Sequence, residues 1–128
     1  MRKPVFLLKE VVLAIHDQLL AEYGGAPGIR DEGLLDSALA RPEQLYAYGS
    51  IDLFALAAAY VNGILRNHPF IDGNKRTAFL AGYIFLARND NQLAADEAEA
   101  TEITVALASR RLSEEDFAGW LKQQCQSH

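Results

Sequence analysis

Two stretches of this chain, residues 53–65 and 78–87, are apolar on nearly every side of a helix. A helix of that kind is normally buried, so both stretches are predicted to form central helices. Asp52 is suited to cap the first of them, which we expect to run to about Arg66. The second is far too short to cross a bilayer. The segment between them, HPFIDGNKR at residues 68–76, is therefore expected to be held at both ends by rigid elements.

Helical spacing predicts two further helices in the N-terminal third. The first is expected over about residues 9–23 and is ended by a pair of glycines. A short helix then opens at Asp31 or Glu32 and is expected to end before Pro42, because the residue that precedes a proline disfavours the helical conformation. Residues 42–50 are expected to form a surface loop, in which a short pair of strands is left open.

Two capping patterns predict helices in the C-terminal third. Asp96 with Glu99 forms a possible capping box for a helix that ends near Ser109, and Ser113 with Asp116 is a weaker version that opens a last helix. The chain shows no alternating strand pattern and no internal repeat. The predicted fold class is therefore all-α, a compact bundle of about six helices.

The composition fits one compact domain over residues 1–128, because half of the chain is hydrophobic and its length leaves no room for a second core. The net charge of -5, from 12 basic and 17 acidic residues, argues against a nonspecific grip on nucleic acid or on an anionic membrane. We expect direct contact with neither. Positive charge is nevertheless concentrated in residues 66–76. This segment contains Arg66, Lys75 and Arg76 but a single acid, Asp72. Such a cluster suits a small polyanion.

The cysteine content and the N-terminus favour a cytoplasmic location. Cys125 is the only cysteine, so it cannot form an internal disulfide and is best interpreted as a bystander thiol in a reducing compartment. Lys9 and Glu10 interrupt the apolar run that begins at Val5 before it reaches the length of a signal-peptide core.

The joining segment brings together an acid–base group and a metal ligand. Histidine is the side-chain type whose ordinary pKa lies near neutrality, so a histidine at position 68 is suited to accept a proton from an attacking hydroxyl. Asp72 provides the kind of oxygen ligand through which Mg²⁺ binds beside substrate phosphates. Phe70 lies between them and is expected to turn inward as the anchor of the loop, while His68 and Asp72 point outward.

The residues that follow are suited to hold an anion. Gly73 permits a tight turn, and Asn74 is able to cap the helix that begins there. The free N–H groups and the positive dipole end of that helix favour phosphate oxygens. Lys75 and Arg76 oppose the usual preference for acids in a first turn, which makes sense if a polyanion binds there. Each residue alone has an ordinary structural explanation, but together they favour phosphate chemistry.

The run HPFIDGNKR resembles the Fic signature, HxFx(D/E)GNxxR, and more closely its death-on-curing (Doc) branch. The segment YGGAPGIRDEGLLDSALARP and the chain length are also similar to that branch. The resemblance implies a Fic-type helical bundle that transfers part of a nucleotide to a protein hydroxyl, with ATP and Mg²⁺ as cofactors. It implies that His68 is the general base and that Asp72 is the Mg²⁺ ligand. The phosphate-binding residues that it implies are Gly73, Asn74, Lys75 and Arg76, and Arg66, which matches an arginine of the Doc pattern, is a further one.

Two departures from the AMP-transferring members of the family decide which chemistry we prefer. Their motif reads GNGRxxR, whereas this chain has Lys75 in place of the small glycine and Phe79 in place of the second arginine. The GNKR variant is typical of Doc toxins. It implies transfer of the γ-phosphate of ATP to a threonine of elongation factor Tu, which arrests translation. AMP transfer to a protein hydroxyl is the alternative, and a catalytically silent antitoxin-binding module is the second alternative.

The resemblance also predicts how the protein is controlled. Self-inhibiting family members carry the motif (S/T)xxxE(G/N), but here the only glutamate followed by glycine or asparagine is Glu32, and Gly28 stands four residues before it. We therefore expect inhibition in trans by a Phd-like antitoxin whose disordered segment folds into a groove on this domain. His16 and His128 are given no role. Tyr46 and Tyr48 are interpreted as either target contacts or packing residues.

Overall fold

The two central helices predicted from the sequence are present in the computed structural model, which describes residues 3–50 and 52–127. Helix α3 runs over Leu53–Asn67 and α4 over Asn74–Arg88. The Asp52 side chain caps α3 by accepting the backbone N–H of Phe54 at 2.9 Å. The two helices approach closely at Gly82, where an added Cβ would lie 2.6 Å from a methyl carbon of Val61. A larger residue at position 82 would force either the Val61 side chain or the two helices to shift.

Four more helices surround this pair in the part of the chain that the structure describes. They are α1 at Lys9–Tyr23, α2 at Glu32–Ala47, α5 at Glu97–Ala108 and α6 at Glu114–Gln124. The first helix has the predicted bounds. The all-α fold class with six helices is therefore confirmed.

The predicted end of α2 before Pro42 is wrong, because the helix continues through that residue to Ala47. Proline lacks the N–H that would bond the carbonyl four residues earlier, that of Ala38. That carbonyl lies at the contact with α3, where a Cβ on Gly63 would be 3.3 Å from its oxygen. The next turn of α2 packs Leu45 against the core. Tertiary packing thus outweighs the local cost of the proline. The loop expected over residues 42–50 is confined to residues 48–50, and the strand pair considered there does not form.

The two capped helices of the C-terminal third are confirmed. Asp96 accepts the backbone N–H of Glu99 at 3.1 Å, and Ser113 accepts that of Asp116 at 3.0 Å. The Glu99 carboxylate does not complete a reciprocal box. It accepts the indole N–H of Trp120 at 2.7 Å and so ties α6 to α5.

A small antiparallel sheet is formed by the strand after α4 and the strand after α6. Strand β1 (Asn91–Leu93) pairs with β2 (Cys125–Ser127), with Leu93 opposite Cys125. Strands this short leave no alternating pattern in the sequence. Burial raises the pKa of the Cys125 thiol, which fits its interpretation as an unreactive bystander. Among the described residues, none of the helices has the length and apolar character that a membrane span requires.

Candidate active site

His68 ends helix α3 in a left-handed conformation, with φ 50° and ψ 55°. Its backbone N–H still bonds the carbonyl of Ile64 at 3.0 Å, so the residue is the C-cap of the helix. The side chain is exposed, as predicted. The imidazole makes no hydrogen bond to any residue within the described ranges. The ring is therefore accessible from solvent.

Arg30 binds two backbone carbonyl groups at the end of α3. Its Nε donates to the His68 carbonyl oxygen at 2.7 Å, and its Nη2 donates to the Asn67 carbonyl oxygen at 2.8 Å. These carbonyls stand at the end of α3, where intrahelical partners are missing. Arg30 therefore caps the helix from a loop 38 residues away in sequence.

The backbone around Arg30 also pairs with the motif. Ile29 and Phe70 form an antiparallel bridge, in which the Arg30 N–H donates to the Pro69 carbonyl at 2.7 Å and the Ile71 N–H donates to the Gly28 carbonyl at 3.1 Å. The loop between α1 and α2 thus fixes the path of the segment at residues 68–76.

Phe70 is fully buried, which confirms its predicted role as the inward anchor. Asn74 has a different role from the one predicted. Its amide Nδ2 donates to the Phe70 carbonyl at 2.9 Å and its Oδ1 accepts the Phe70 N–H at 3.0 Å. The N-cap of α4 is Gly73, at φ 79°, and it has no side-chain cap. The expectation that Asn74 caps α4 is wrong, because its buried amide instead pairs with both polar groups of the anchor residue.

Asp72 is exposed, as His68 is, and its carboxylate is partly fixed by the backbone. Oδ1 accepts the Gly73 N–H at 2.9 Å and Oδ2 accepts the Ala26 N–H at 3.3 Å. No cluster of three or more metal-binding side chains exists among the residues described. A single oriented carboxylate with open lone pairs fits Mg²⁺ that is shared with substrate phosphates, since that ion keeps several waters and takes only one or two protein ligands.

The first turn of α4 carries two exposed cations and no acid. Neither Lys75 nor Arg76 forms a salt bridge in the described part of the chain. The Arg76 guanidinium instead lies 4.3 Å from the centre of the Tyr23 ring, on α1. Two unpaired positive charges, an uncapped helix start and a nearby carboxylate form a surface that can hold a phosphate chain with its metal.

Arg66 is engaged elsewhere. Its guanidinium donates to the carbonyls of Leu107 and Ala108 at the end of α5, and its Nε donates to Asn62 at 3.1 Å. Burial, and then the nearby charge of Arg110, lower the pKa of Arg66. Its place at the end of α5 gives no support to the prediction that it contacts phosphates, and that role stays a prediction.

His16 was given no role from the sequence, yet it contacts the motif directly. It is 3% exposed on α1, and its Nε2 lies 2.8 Å from the Asp72 carbonyl oxygen. Its ring is stacked on that of Phe70, with centroids 3.8 Å apart. The only sequence signal was a polar residue on the apolar face of α1.

Comparison with known proteins shows the family to which the chain belongs. Residues 6–86 match the Fic/DOC family. The chain belongs to the Fic/DOC family. It is 36% identical over 115 residues to a protein named "Protein kinase doc" from Escherichia phage P1, which covers 89% of this chain and 90% of the phage protein. It is 50% identical over 78 residues to a protein named "Toxin Doc" from Mycolicibacterium smegmatis, 58% of each chain.

The Fic/DOC match contains the motif and the elements that hold it in place. It includes α1 with His16, the Arg30 loop, α3 and most of α4. Helices α5 and α6 lie beyond it. A groove of about 590 Å³ runs between α1, α4, β1 and α5, and its lining includes Tyr23, Lys75 and Arg76. The proposed phosphate-binding cations therefore also form part of the groove wall.

Proposed function

We propose that this Fic/DOC protein is a toxin kinase of the Doc type that transfers the γ-phosphate of ATP to a threonine of elongation factor Tu. The observation that carries the proposal is the open start of α4, where Lys75 and Arg76 have no acidic partner among the described residues and follow the exposed His68 and Asp72 in one segment. The phage relative named as a protein kinase, which aligns along nine tenths of this chain, supports the same activity.

The proposed transfer begins at His68, whose imidazole is exposed and accepts the proton of the threonine hydroxyl. The hydroxyl oxygen forms a bond to the γ-phosphorus while the bond to the β–γ bridging oxygen breaks, and ADP leaves. Lys75, Arg76 and the backbone N–H groups at the start of α4 stabilise the charge on the transferred group. Asp72 would hold Mg²⁺, and the ion, when bound, would supply positive charge against the phosphates.

Lys75 is the reason to prefer phosphorylation to AMP transfer. It is exposed in the first turn of α4 and has no acidic partner in the described residues. A lysine there adds bulk and charge at a position where a glycine would leave bare backbone for phosphate. We infer that the nucleotide binds with its γ-phosphate toward His68.

The test is incubation of elongation factor Tu with the protein, Mg²⁺ and ATP labelled on either the α- or the γ-phosphate, followed by intact-mass analysis. We expect γ-label transfer and a gain of one phosphate, abolished by His68→Ala. Lys75→Ala should weaken the transfer, while Arg88→Ala, which removes the same charge from the other end of α4, should not. Transfer of the α-label alone would establish AMP transfer instead. Normal antitoxin binding with no transfer would establish the silent module.

We also propose a Phd-like antitoxin as the inhibitor, because both relatives belong to the Doc type and one is named a toxin. The groove between α1, α4 and α5 is the binding surface that we propose for it, since an occupant would contact Lys75 and Arg76. Thr101→Arg, within the groove, should abolish inhibition and leave transfer intact. Glu102→Arg, on the same helix but outside the groove lining, is the matched control. Equal inhibition of both variants would place the antitoxin on another surface.

A further inference from the structure

We propose that His16 is a positioning residue for the Asp72 carboxylate and thereby sets the affinity of the protein for its divalent metal. The inference rests on the proposed function, in which Asp72 holds Mg²⁺. It concerns a residue of α1 that lies 56 positions before Asp72 in sequence and outside the motif.

The contact is a directed hydrogen bond. The Nε2 atom of His16 lies 2.8 Å from the carbonyl oxygen of Asp72, and a carbonyl only accepts, so Nε2 carries the proton. The imidazole is 3% exposed, which shields this bond from water. A buried hydrogen bond of this kind restricts the orientation of the peptide group that accepts it.

That peptide group also holds the carboxylate. The carbonyl of Asp72 and the N–H of Gly73 belong to the same planar unit, and the chain has no cis peptide among its described residues, so the two groups point in opposite directions. His16 binds the carbonyl side. The N–H side donates to Oδ1 of Asp72 at 2.9 Å. By fixing the plane of this peptide, His16 therefore aims the N–H that orients the carboxylate.

The imidazole ring of His16 also packs against two other residues of the motif. It is stacked on Phe70 with centroids 3.8 Å apart and planes 10° from parallel. It also faces Gly73, where an added Cβ would lie 3.6 Å from the ring. A phenylalanine at position 16 reproduces the stack but has no donor, whereas a glutamine keeps a donor and has no ring. These two substitutions separate positioning from simple filling of the core.

The experiment measures binding of Mn²⁺, as a paramagnetic substitute for Mg²⁺, in the presence of a non-hydrolysable ATP analogue. We expect His16→Phe to raise the dissociation constant for Mn²⁺ by about fivefold to tenfold, the effect of one lost hydrogen bond. We expect His16→Gln to retain more of the affinity. Val12→Ala, a buried truncation one turn earlier on α1, should lower thermal stability without changing Mn²⁺ binding.

Binding of Mn²⁺ by folded His16→Phe with the affinity of the unmodified protein would overturn the proposal and make His16 a core-filling residue. If His16→Phe does not fold, His16→Gln is compared with His16→Leu, and equal or tighter binding by the leucine variant overturns it. The variant Asp72→Asn distinguishes a wrong role for His16 from a wrong metal site in the proposed function. If the unmodified protein binds Mn²⁺ no better than Asp72→Asn does, Asp72 does not hold the metal. The proposed role of His16 is then also rejected.

Discussion

The Nε atom of Arg30 lies 2.7 Å from the carbonyl oxygen of His68, and this bond joins the α1–α2 loop to the backbone of the proposed general base. His68 is a non-glycine residue in the left-handed region, a conformation that costs about 1 kcal/mol or more. The conformation persists because its surroundings hold it. Arg30 supplies part of that support, since its second bond goes to the Asn67 carbonyl at 2.8 Å.

Arg30→Lys is expected to lower the rate of transfer more than it lowers stability. A lysine ammonium cannot reproduce the two-pronged contact of the guanidinium with two successive carbonyls. Because the site is exposed, the free energy of unfolding should fall by only about 1 kcal/mol. The measurements are kcat and thermal denaturation. Arg111→Lys is the control, because Arg111 is also exposed and also donates through Nε, to Ser109. Loss of stability with unchanged kcat would limit Arg30 to a structural role.

Gly25→Ala is expected to disturb Asp72. Gly25 has φ 122°, and an added Cβ would lie 2.9 Å from Oδ2 of Asp72. Gly49→Ala is the matched control, because Gly49 has φ 107° but open space around it. Both substitutions should cost about 1 to 2 kcal/mol of stability through backbone strain. Only Gly25→Ala should also slow transfer, by about tenfold to a hundredfold, through displacement of the carboxylate. Equal rates for the two variants would show that Asp72 tolerates the shift.

Tyr23→Leu is expected to raise KM for ATP, because the Tyr23 ring holds the Arg76 guanidinium at 4.3 Å. The ring is half exposed, so the cation–π contact contributes about 0.5 to 1 kcal/mol, which corresponds to about a twofold to fivefold change. Tyr23→Phe keeps the aromatic face and should leave KM near its original value. The measurement is initial-rate kinetics over a range of ATP concentrations. A similar rise for both variants would assign the effect to the hydroxyl group.

Stability is expected to fall between pH 10 and 12 because of Tyr60. Burial raises the pKa of Tyr60 to about 12 from its usual value of 10. Above pH 10 the unfolded chain loses this proton while the folded protein keeps it, so the stabilisation present below pH 10 is lost as pH rises toward 12. Tyr60→Phe should remove this component, so that its stability deficit relative to the unmodified protein narrows across the window.

At neutral pH Tyr60→Phe is expected to be less stable, because the Leu7 N–H loses the tyrosine oxygen that accepts it at 3.0 Å. Thermal denaturation at pH 7 and at several values above 10 measures both effects. Tyr48→Phe, at a residue that is 91% exposed, is the control and should follow the unmodified protein. A constant difference between Tyr60→Phe and the unmodified protein from pH 10 to 12 would contradict the raised pKa.

The parts of the fold and site that the sequence predicted are governed by local physics. The uncharged stretches that became α3 and α4, and the caps at Asp52 and Asp96, depend on residues a few positions apart. The exposure of His68 and Asp72 around the buried Phe70 is local in the same sense, since all three lie in one short turn.

Residues close together along the chain were enough to predict the helical class, the two central helices and the position of the proposed catalytic loop. The tertiary structure was needed to show that α2 continues past Pro42 and that Arg66 faces α5. It alone brought Arg30 and His16 to the motif. These outcomes depend on contacts between groups far apart along the chain, and on packing free energy that outweighs local propensity, which no short window of sequence contains.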